Sequence, residues 1–219
     1  ARQSVAVLCS GGVDSAVLLS LLQRRASRVV PLYVRCGLIW EGPEEAALRR
    51  ILAWLNRRGD APPLAPLVVL ESPAAEIYGA HWSVTGQGTP DADSPDEAVY
   101  LPGRNLMLLT PASVWCVTNQ VGFLALGSLC ANPFADADER FMRCFERLIE
   151  QALGQAPTVL QPFAALAKAD VVRLGADLPL EETFSCIAPI GDQRCGNCNK
   201  CAERRRAFAA TSRGAAMPV

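Results

Sequence analysis

Apolar residues follow two patterns that take turns along the chain. Short runs rich in β-branched residues, such as 4–9, are typical of buried strands, whereas 14–25 has apolar residues at helical spacing. These patterns predict strands at 4–9, 28–35, 67–70 and 122–126, and helices at 14–25, 43–58 and 138–153. Strands that alternate with helices pair in parallel through right-handed crossovers. The predicted fold is therefore an α/β fold with an open, mainly parallel, doubly wound sheet.

Three segments depart from this regular alternation. Residues 78–103 are rich in Gly, Pro, Ser and Asp and have no clear period, and connections of that length are usually functional or mobile. Thr110-Pro111 is typical of a helix start, and a helix that begins there would leave Arg104 on the preceding segment. The tail contains four Cys and a basic cluster. We predict an α/β domain at 1–183 and a small metal-binding extension at 184–219 that packs on it.

Composition and charge exclude several classes of protein. The chain has 219 residues, of which 50% are apolar, and its 21 basic and 22 acidic residues give a formal net charge of −1. Near-neutral charge argues against a protein that neutralises many phosphates of a nucleic acid. No apolar run reaches the roughly 20 residues that span a bilayer. His81 stands without a nucleophile pattern, which disfavours a hydrolase triad. We expect a cytoplasmic protein, in which nine Cys do not form a disulfide framework.

A glycine-rich loop follows the first predicted strand. This Gly-Gly loop, residues 10–15, consists of Ser10, Gly11, Gly12, Val13, Asp14 and Ser15. Two glycines allow a tight turn whose N–H groups converge at a helix N-terminus, which suits phosphate or pyrophosphate. The two serines can add hydroxyl donors, and the aspartate could hold Mg²⁺ against phosphate oxygens. The alternative is an ordinary turn with a capping side chain, but the complete hexapeptide favours nucleotide binding.

The cysteines of the tail have the spacing of a metal site. The pattern C-x₈-C-x₂-C-x₂-C comprises Cys186, Cys195, Cys198 and Cys201. Short gaps let the thiolates converge on one ion, and four thiolates favour structural Zn²⁺ because no coordination position stays open. An iron–sulfur cluster is the alternative, although no Cys-Pro closes the run. The other cysteines are predicted to be small buried hydrophobic residues: Cys9, Cys36, Cys116, Cys130 and Cys144.

Several motifs together resemble one family. The SGGVDS hexapeptide resembles the PP-loop of ATP pyrophosphatases, which cleave ATP between the α and β phosphates. With LPGRN at 101–105, the stretch 161–174 and the Cys pattern, the chain is similar to the 7-cyano-7-deazaguanine synthase family. The resemblance implies a zinc enzyme, often a homodimer, that converts 7-carboxy-7-deazaguanine, ammonia and ATP to the nitrile. It also implies ATP binding by the Gly-Gly loop and catalytic roles for Asp14, Arg104 and Lys168.

Two segments differ from the family pattern where the acceptor would bind. The family commonly has Tyr-Pro-Asp-Cys-Arg after the fourth strand, whereas 132–138 lacks the Cys-Arg pair, and 35–41 lacks the usual histidine. Phe134 and Asp136 are the candidate base-pocket residues. A deazaguanine acid could therefore be passed to another amine, such as a peptide or protein terminus. A PP-loop tRNA-modifying transferase is a further alternative, but direct nucleic-acid binding is disfavoured by charge, and we interpret residues 204–206 as a solvated helix face.

Overall fold

A five-stranded parallel sheet forms the centre of the molecule. The structure is a computed structural model that describes residues 3–130 and 132–211. The strand order is β3-β2-β1-β4-β5, and every neighbouring pair is parallel. The predicted α/β class is confirmed. The strands are β1 Ser4–Leu8, β2 Arg28–Arg35, β3 Val68–Glu71, β4 Phe123–Ala125 and β5 Thr158–Leu160.

Eight α-helices connect and cover the strands of the described chain. Those predicted from apolar spacing begin and end within about two residues of the expected positions. The short β5, α7 and α8 were not among the predicted elements. The helices are α1 Val13–Gln23, α2 Glu41–Arg57, α3 Ala74–Tyr78, α4 Trp82–Thr85, α5 Arg104–Thr118, α6 Glu139–Leu153, α7 Lys168–Leu174 and α8 Asn199–Ala209.

Both faces of the sheet are covered, as a doubly wound fold requires. Val5 and Val7 of β1 pack into a core that α1, α2, α7 and α8 share. Ala6, which lies between them on the strand, faces the opposite way into a core formed with α5 and α6. Successive strand residues point to opposite faces, so a central strand that is covered twice must be apolar throughout. This explains the uninterrupted apolar run at the start of the chain.

Helix α5 begins earlier than the sequence predicts. Its first residue is Arg104, and its N-cap is Gly103 with φ +67°, while Pro111 lies inside the helix. The sequence left the start of this helix open, and the start that Thr110-Pro111 suggests is wrong. A proline in a helix loses one N–H···O bond, but here the buried residues Leu109 and Ala112 on either side of it keep the helix packed on the sheet.

The aperiodic segment 78–103 is tied to the tail by hydrogen bonds. It contains the short α4 and a 3₁₀ turn at Asp96–Val99. The Asn199 N–H donates to the Pro90 carbonyl at 3.1 Å, and Asn199 Nδ2 donates to the Ser94 carbonyl at 2.8 Å. His81 caps α4, since its side chain accepts from the Ser83 N–H. Within the described residues, no helix is long and apolar enough to cross a membrane.

The cysteines outside the tail fall into two groups. Cys9, Cys36 and Cys116 are buried, as predicted, and burial raises the pKa of the Cys116 thiol to about 12. Cys130 and Cys144 are exposed, so the prediction is wrong for these two. Cys144 lies on the outer side of α6, where Arg147 Nη2 donates to its sulfur at 3.3 Å.

Candidate functional site

The Gly-Gly loop lies at the centre of the carboxyl edge of the sheet. It follows β1, which pairs with β2 on one side and with β4 on the other. Chain connections leave β1 and β4 in opposite directions, and ligands of open α/β sheets bind in the crevice at such a switch point. Helix α1 begins within the loop, at Val13, directly after the two glycines, and directs its N-terminus into this crevice.

Close packing explains the two glycines of the loop. Gly11 has φ +71°, and a Cβ there would lie 2.3 Å from the Glu44 carbonyl oxygen. The loop is closed by hydroxyls, because Ser15 Oγ donates to the Gly12 carbonyl at 3.1 Å and Ser10 Oγ accepts from the Gly12 N–H at 3.3 Å. Ser15 is buried, so its hydroxyl holds the turn in shape.

A cavity of about 600 Å³ opens beside the loop. From the loop it is lined by Ser10, Gly12 and Asp14, and from the segment after β4 by Gly127 and Ser128. The remaining lining comes from regions distant in sequence, among them α7, α8 and the residues before the Cys cluster. A concave site with a few polar groups at a switch point is the expected place for a ligand.

Asp14 and Lys168 form an ion pair inside this cavity. Lys168 Nζ lies 2.6 Å from Asp14 Oδ2 and 3.4 Å from Glu203 Oε1. Burial alone would lower the pKa of Lys168, but the two carboxylates outweigh it and raise that pKa, so the ammonium stays charged. Glu203 also pairs with Lys200 at 2.6 Å. The sequence interpretation missed Glu203 and Lys200, which only the packing of α8 brings to this site.

Asp14 has one oxygen that suits a cation. Its Oδ1 is buried and has no hydrogen-bond partner within the described residues. A buried carboxylate oxygen without a donor carries a desolvation cost. Mg²⁺ is typically held by one or two carboxylates and by substrate phosphates. The residues present therefore fit a Mg²⁺ that enters together with a nucleotide.

Arg104 does not share the cavity with Asp14 and Lys168. It is not among the described residues that line the cavity, and its positive charge acts to lower the pKa values of Glu44 and Tyr33. Its Nη1 is buried without a hydrogen-bond partner in the described part of the chain. The structure thus places this predicted catalytic residue outside the cavity lining, near Glu44, which does line it.

The two candidate base-pocket residues occupy different positions. Phe134 lines the cavity, and its ring packs on Tyr100 with centroids 5.3 Å apart. Asp136 binds the first turn of α5. Its Oδ2 accepts from the Asn105 N–H at 3.0 Å, and its Oδ1 accepts from Asn105 Nδ2 at 3.3 Å. Of the two, only Phe134 lines the cavity in the structure.

Arg204 is a buried cavity residue that the sequence interpretation placed in solvent. It is 2% exposed, and it donates to Thr183 Oγ1 at 2.7 Å and to the Leu180 carbonyl at 2.6 Å. Burial lowers its pKa to about 10. The prediction of a solvated face is wrong for Arg204, because it lies on the side of α8 that carries Cys201 and Phe208. Only the two arginines that follow it are exposed.

The four tail cysteines converge in space. Their sulfur atoms all lie within 4.8 Å of one another. The separations include 3.6 Å for Cys186–Cys195, 3.9 Å for Cys186–Cys198 and 4.0 Å for Cys195–Cys201. Tetrahedral coordination at the usual Zn–S length separates sulfurs by about 3.8 Å. The cluster is therefore compatible with a structural metal, and the chemistry of four thiolates fits zinc.

The segment that precedes the Cys cluster contacts the Gly-Gly loop. The Phe184 N–H donates to the Gly11 carbonyl at 2.8 Å. A Cβ on Gly12 would lie 3.4 Å from the Phe184 carbonyl oxygen. Cys186 follows two residues later, so only a very short segment separates the Cys cluster from the residue that contacts the loop.

A comparison of the chain with known protein families agrees with the presence of the Gly-Gly loop, the cavity and the Cys cluster. The model of the family described as "Queuosine biosynthesis protein QueC" matches residues 4–212. The chain belongs to the QueC family. The resemblance inferred from the sequence motifs is thereby confirmed, and the curated QueC-like relatives carry the names of enzymes.

Two of these relatives cover nearly the whole QueC-family chain. The 7-cyano-7-deazaguanine synthase 1 of Desulfitobacterium hafniense is 28% identical over 212 residues, covering 94% of this chain and 92% of its own. The 7-cyano-7-deazaguanine synthase of Methanothrix thermoacetophila is 30% identical over 218 residues, covering 92% of each. Among solved structures, an NMN synthetase from Francisella tularensis covers 94% of this chain and 76% of its own at TM-score 0.49 and 16% identity, which supports no argument about function.

Proposed function

We propose that this chain is an ATP-dependent carbon–nitrogen ligase and nitrile synthase. It adenylates the carboxylate of 7-carboxy-7-deazaguanine and uses ammonia to form 7-cyano-7-deazaguanine. The observation that carries the proposal is a single cavity that is lined by the Gly-Gly loop, by the Asp14–Lys168 pair and by the aromatic ring of Phe134. Membership of the QueC family and the names of its curated relatives support it.

The reaction needs two adenylations. A carboxylate oxygen attacks the α-phosphorus of ATP and pyrophosphate leaves; ammonia then attacks the acyl carbon, loses a proton and displaces AMP to give the amide. The amide oxygen attacks a second ATP with loss of pyrophosphate and a proton. The resulting intermediate loses AMP and its remaining N–H proton, which leaves the nitrile. Each adenylation replaces a poor leaving group by AMP, so the protein has mainly to position the reactants and stabilise charge.

Some of the described residues act on the phosphates of ATP, and another contacts the base. The N–H groups of the Gly-Gly loop and the N-terminus of α1 hold the departing pyrophosphate. Lys168 supplies a buried positive charge beside the loop, and Asp14 would hold Mg²⁺, which neutralises phosphate charge when bound. Phe134 offers an aromatic face to the planar base.

The Cys cluster has a structural role in this proposal. Cys186, Cys195, Cys198 and Cys201 would hold Zn²⁺ with no position open for a substrate. We accordingly regard 1–183 as the ATP-binding part and 184–219 as the metal-binding extension. A homodimer and a cytoplasmic location remain predictions.

A second candidate function differs only in the acceptor. The segment that departs from the family pattern contributes Asn132, Pro133 and Phe134 to the cavity lining. Since the difference lies in the cavity itself, the adenylated acid could be passed to the amine of a peptide or protein. Adenylation by the Gly-Gly loop is common to both candidates.

One experiment separates the candidates. The purified protein is mixed with 7-carboxy-7-deazaguanine, Mg-ATP and ammonium, and AMP, pyrophosphate and the product mass are followed. AMP together with the nitrile mass supports the first function. AMP with a conjugate that forms only when a peptide is added supports the second, and release of ADP overturns adenylation altogether.

A further inference from the structure

The cavity contains one carboxylate that the proposed chemistry does not use. Four described residues that line it carry carboxylates: Asp14, Glu44, Asp96 and Glu203. Asp14 and Glu203 are paired with lysines. Asp96 is exposed and accepts from Asn199 Nδ2 at 3.3 Å. Glu44 alone is partly buried and has no ion pair within 4 Å among the described residues.

The surroundings of Glu44 engage only one of its two carboxylate oxygens. It lies in the first turn of α2, where its Oε2 accepts from the Tyr33 hydroxyl at 3.3 Å. In the described part of the chain, its Oε1 accepts no hydrogen bond. Burial raises the pKa of Glu44 to about 8, while the nearby charge of Arg104 acts in the opposite direction. A carboxyl group in this state gains from a ligand that brings hydrogen-bond donors.

One edge of a guanine-type base carries the hydrogen-bond donors that the Glu44 carboxylate could accept. That edge presents two adjacent donors, the ring N1–H and the 2-amino N–H. A carboxylate can accept both at once, in the bidentate geometry that also makes Arg–carboxylate pairs specific. Phe134 belongs to the same apolar cluster as Cys36 and Phe184 and lines the same cavity, so an aromatic face for the ring is present close by.

We propose that Glu44 is the specificity-determining residue of this site, and that its carboxylate accepts the two adjacent N–H donors of the deazaguanine base. The inference rests on the proposed function. It assigns recognition of the base to Glu44 and not to Asp136, because the oxygens of Asp136 accept hydrogen bonds from Asn105. The nearby charge of Arg104 favours the ionised form of this carboxylate.

Binding measurements without turnover test this assignment. Calorimetry compares 7-carboxy-7-deazaguanine with the analogue that lacks the 2-amino group, in the presence of a saturating ATP analogue whose α–β bridge is methylene. The unsubstituted protein should prefer the amino compound by at least about tenfold, because the analogue leaves one carboxylate oxygen of Glu44 without its donor. Glu44→Gln should lose that preference, to within about threefold, because an amide presents one acceptor and one donor.

The neighbouring Glu45 is a matched control. It lies on the same helix but pairs with Arg35 and Arg49, outside the cavity lining. Glu45→Gln should therefore keep the preference for the amino compound. Should Glu44→Gln fail to fold, Glu44→Asp keeps the charge with a shorter reach, and it should retain the preference while binding both compounds more weakly.

The possible results distinguish this inference from the proposed function. If Glu44→Gln or Glu44→Asp shows the same preference for the amino compound and the same affinity for it as the unsubstituted protein, the role of Glu44 is overturned and the proposed function stands. If Glu44→Gln weakens binding of the ATP analogue and leaves binding of the acid unchanged, Glu44 contacts the nucleotide and the inference is again overturned. If the unsubstituted protein binds neither heterocycle, the proposed function fails and the inference fails with it.

Discussion

Lys168 is held as a cation between two carboxylates, although its side chain is only 19% exposed. A buried ammonium beside a loop that would hold pyrophosphate is suited to stabilise charge that grows on the leaving group. Lys168→Met keeps the length of the side chain and removes the charge. We expect the rate of AMP release to fall by about 10²- to 10³-fold.

A surface arginine on the same helix provides the control for this change. Arg173 pairs with Asp170 at the exposed side of α7. Arg173→Met should change the rate of AMP release by less than about twofold, as expected for an exposed pair. If Lys168→Met released AMP at the rate of the unsubstituted protein, Lys168 would have no part in the transfer step.

Glu44 should make base binding depend on pH. Its pKa of about 8 in the free protein exceeds the usual value near 4.5, so the carboxyl is mostly protonated at pH 7. A ligand that binds the ionised form lowers this pKa, so affinity rises with pH and levels off above about 8. The groups that face Glu44 are Tyr33, Glu41 and Arg104, and desolvation raises the pKa of Tyr33, which stays neutral throughout.

The pH dependence is measured by titrating 7-carboxy-7-deazaguanine at several pH values. Between pH 6 and 8 the dissociation constant should fall by up to about tenfold per pH unit. In Glu44→Gln the same titration should be flat, because an amide does not ionise in this range. A slope that persists in Glu44→Gln would assign the proton to another group.

At the scale of elements, the turn between β1 and α1 depends on Gly11. Its φ is +71°, and a Cβ at this position would come within 2.3 Å of the Glu44 carbonyl oxygen, so there is no room for a side chain. Gly11→Ala should therefore displace the loop from α2 and weaken ATP binding by at least about tenfold, which nucleotide titration measures.

Gly42 in the first turn of α2 provides the contrast. A Cβ there meets nothing within 4 Å, and its φ is not positive. Gly42→Ala should leave ATP affinity unchanged and add about 0.5–1 kcal/mol to the free energy of unfolding, since alanine favours the helix. Equal ATP affinity in both variants would show that the loop tolerates a side chain.

The elements that the sequence predicted have either a helical period or a continuous apolar run. In α2 and α6 apolar residues recur on one face, and β1 and β2 are apolar throughout because helices cover the sheet twice. β5 has three residues and α7 has seven, too few to show a period. The start of α5 could not be settled from the sequence because Thr110-Pro111 has the local chemistry of a helix start, while packing around Pro111 maintains a continuous helix.

The same distinction applies to the site. The Gly-Gly loop and the four cysteines are local in sequence, so their spacing alone predicted them. Glu44, Glu203 and Arg204 come to the cavity from α2 and α8, and only tertiary packing brings them there. Arg204 stands in a run of three arginines, which is typical of a solvated face, and its burial is evident only from its bonds to Thr183 and Leu180.

For the molecule as a whole, the Cys cluster links the tail to the segment that contacts the Gly-Gly loop. Cys186 follows the segment whose Phe184 N–H donates to Gly11, and Arg204 donates to Thr183 in the same segment. A metal held by the four sulfurs would therefore stabilise both α8 and the Gly-Gly loop. Losing it should lower the stability of the fold and the affinity for nucleotide together.

Cys198→Ser, which changes a buried member of the cluster, tests this connection. Elemental analysis should find about one zinc per chain in the unsubstituted protein and much less in the variant. The melting temperature should fall by at least about 5 °C, and ATP affinity should fall with it. Cys144→Ser, on the exposed side of α6, should change neither quantity. Only a short segment separates Cys186 from the residue that contacts Gly11. If metal-free Cys198→Ser nevertheless bound ATP with normal affinity, the loop would keep its shape without the cluster. Iron in place of zinc in the elemental analysis would assign the four sulfurs to a different metal.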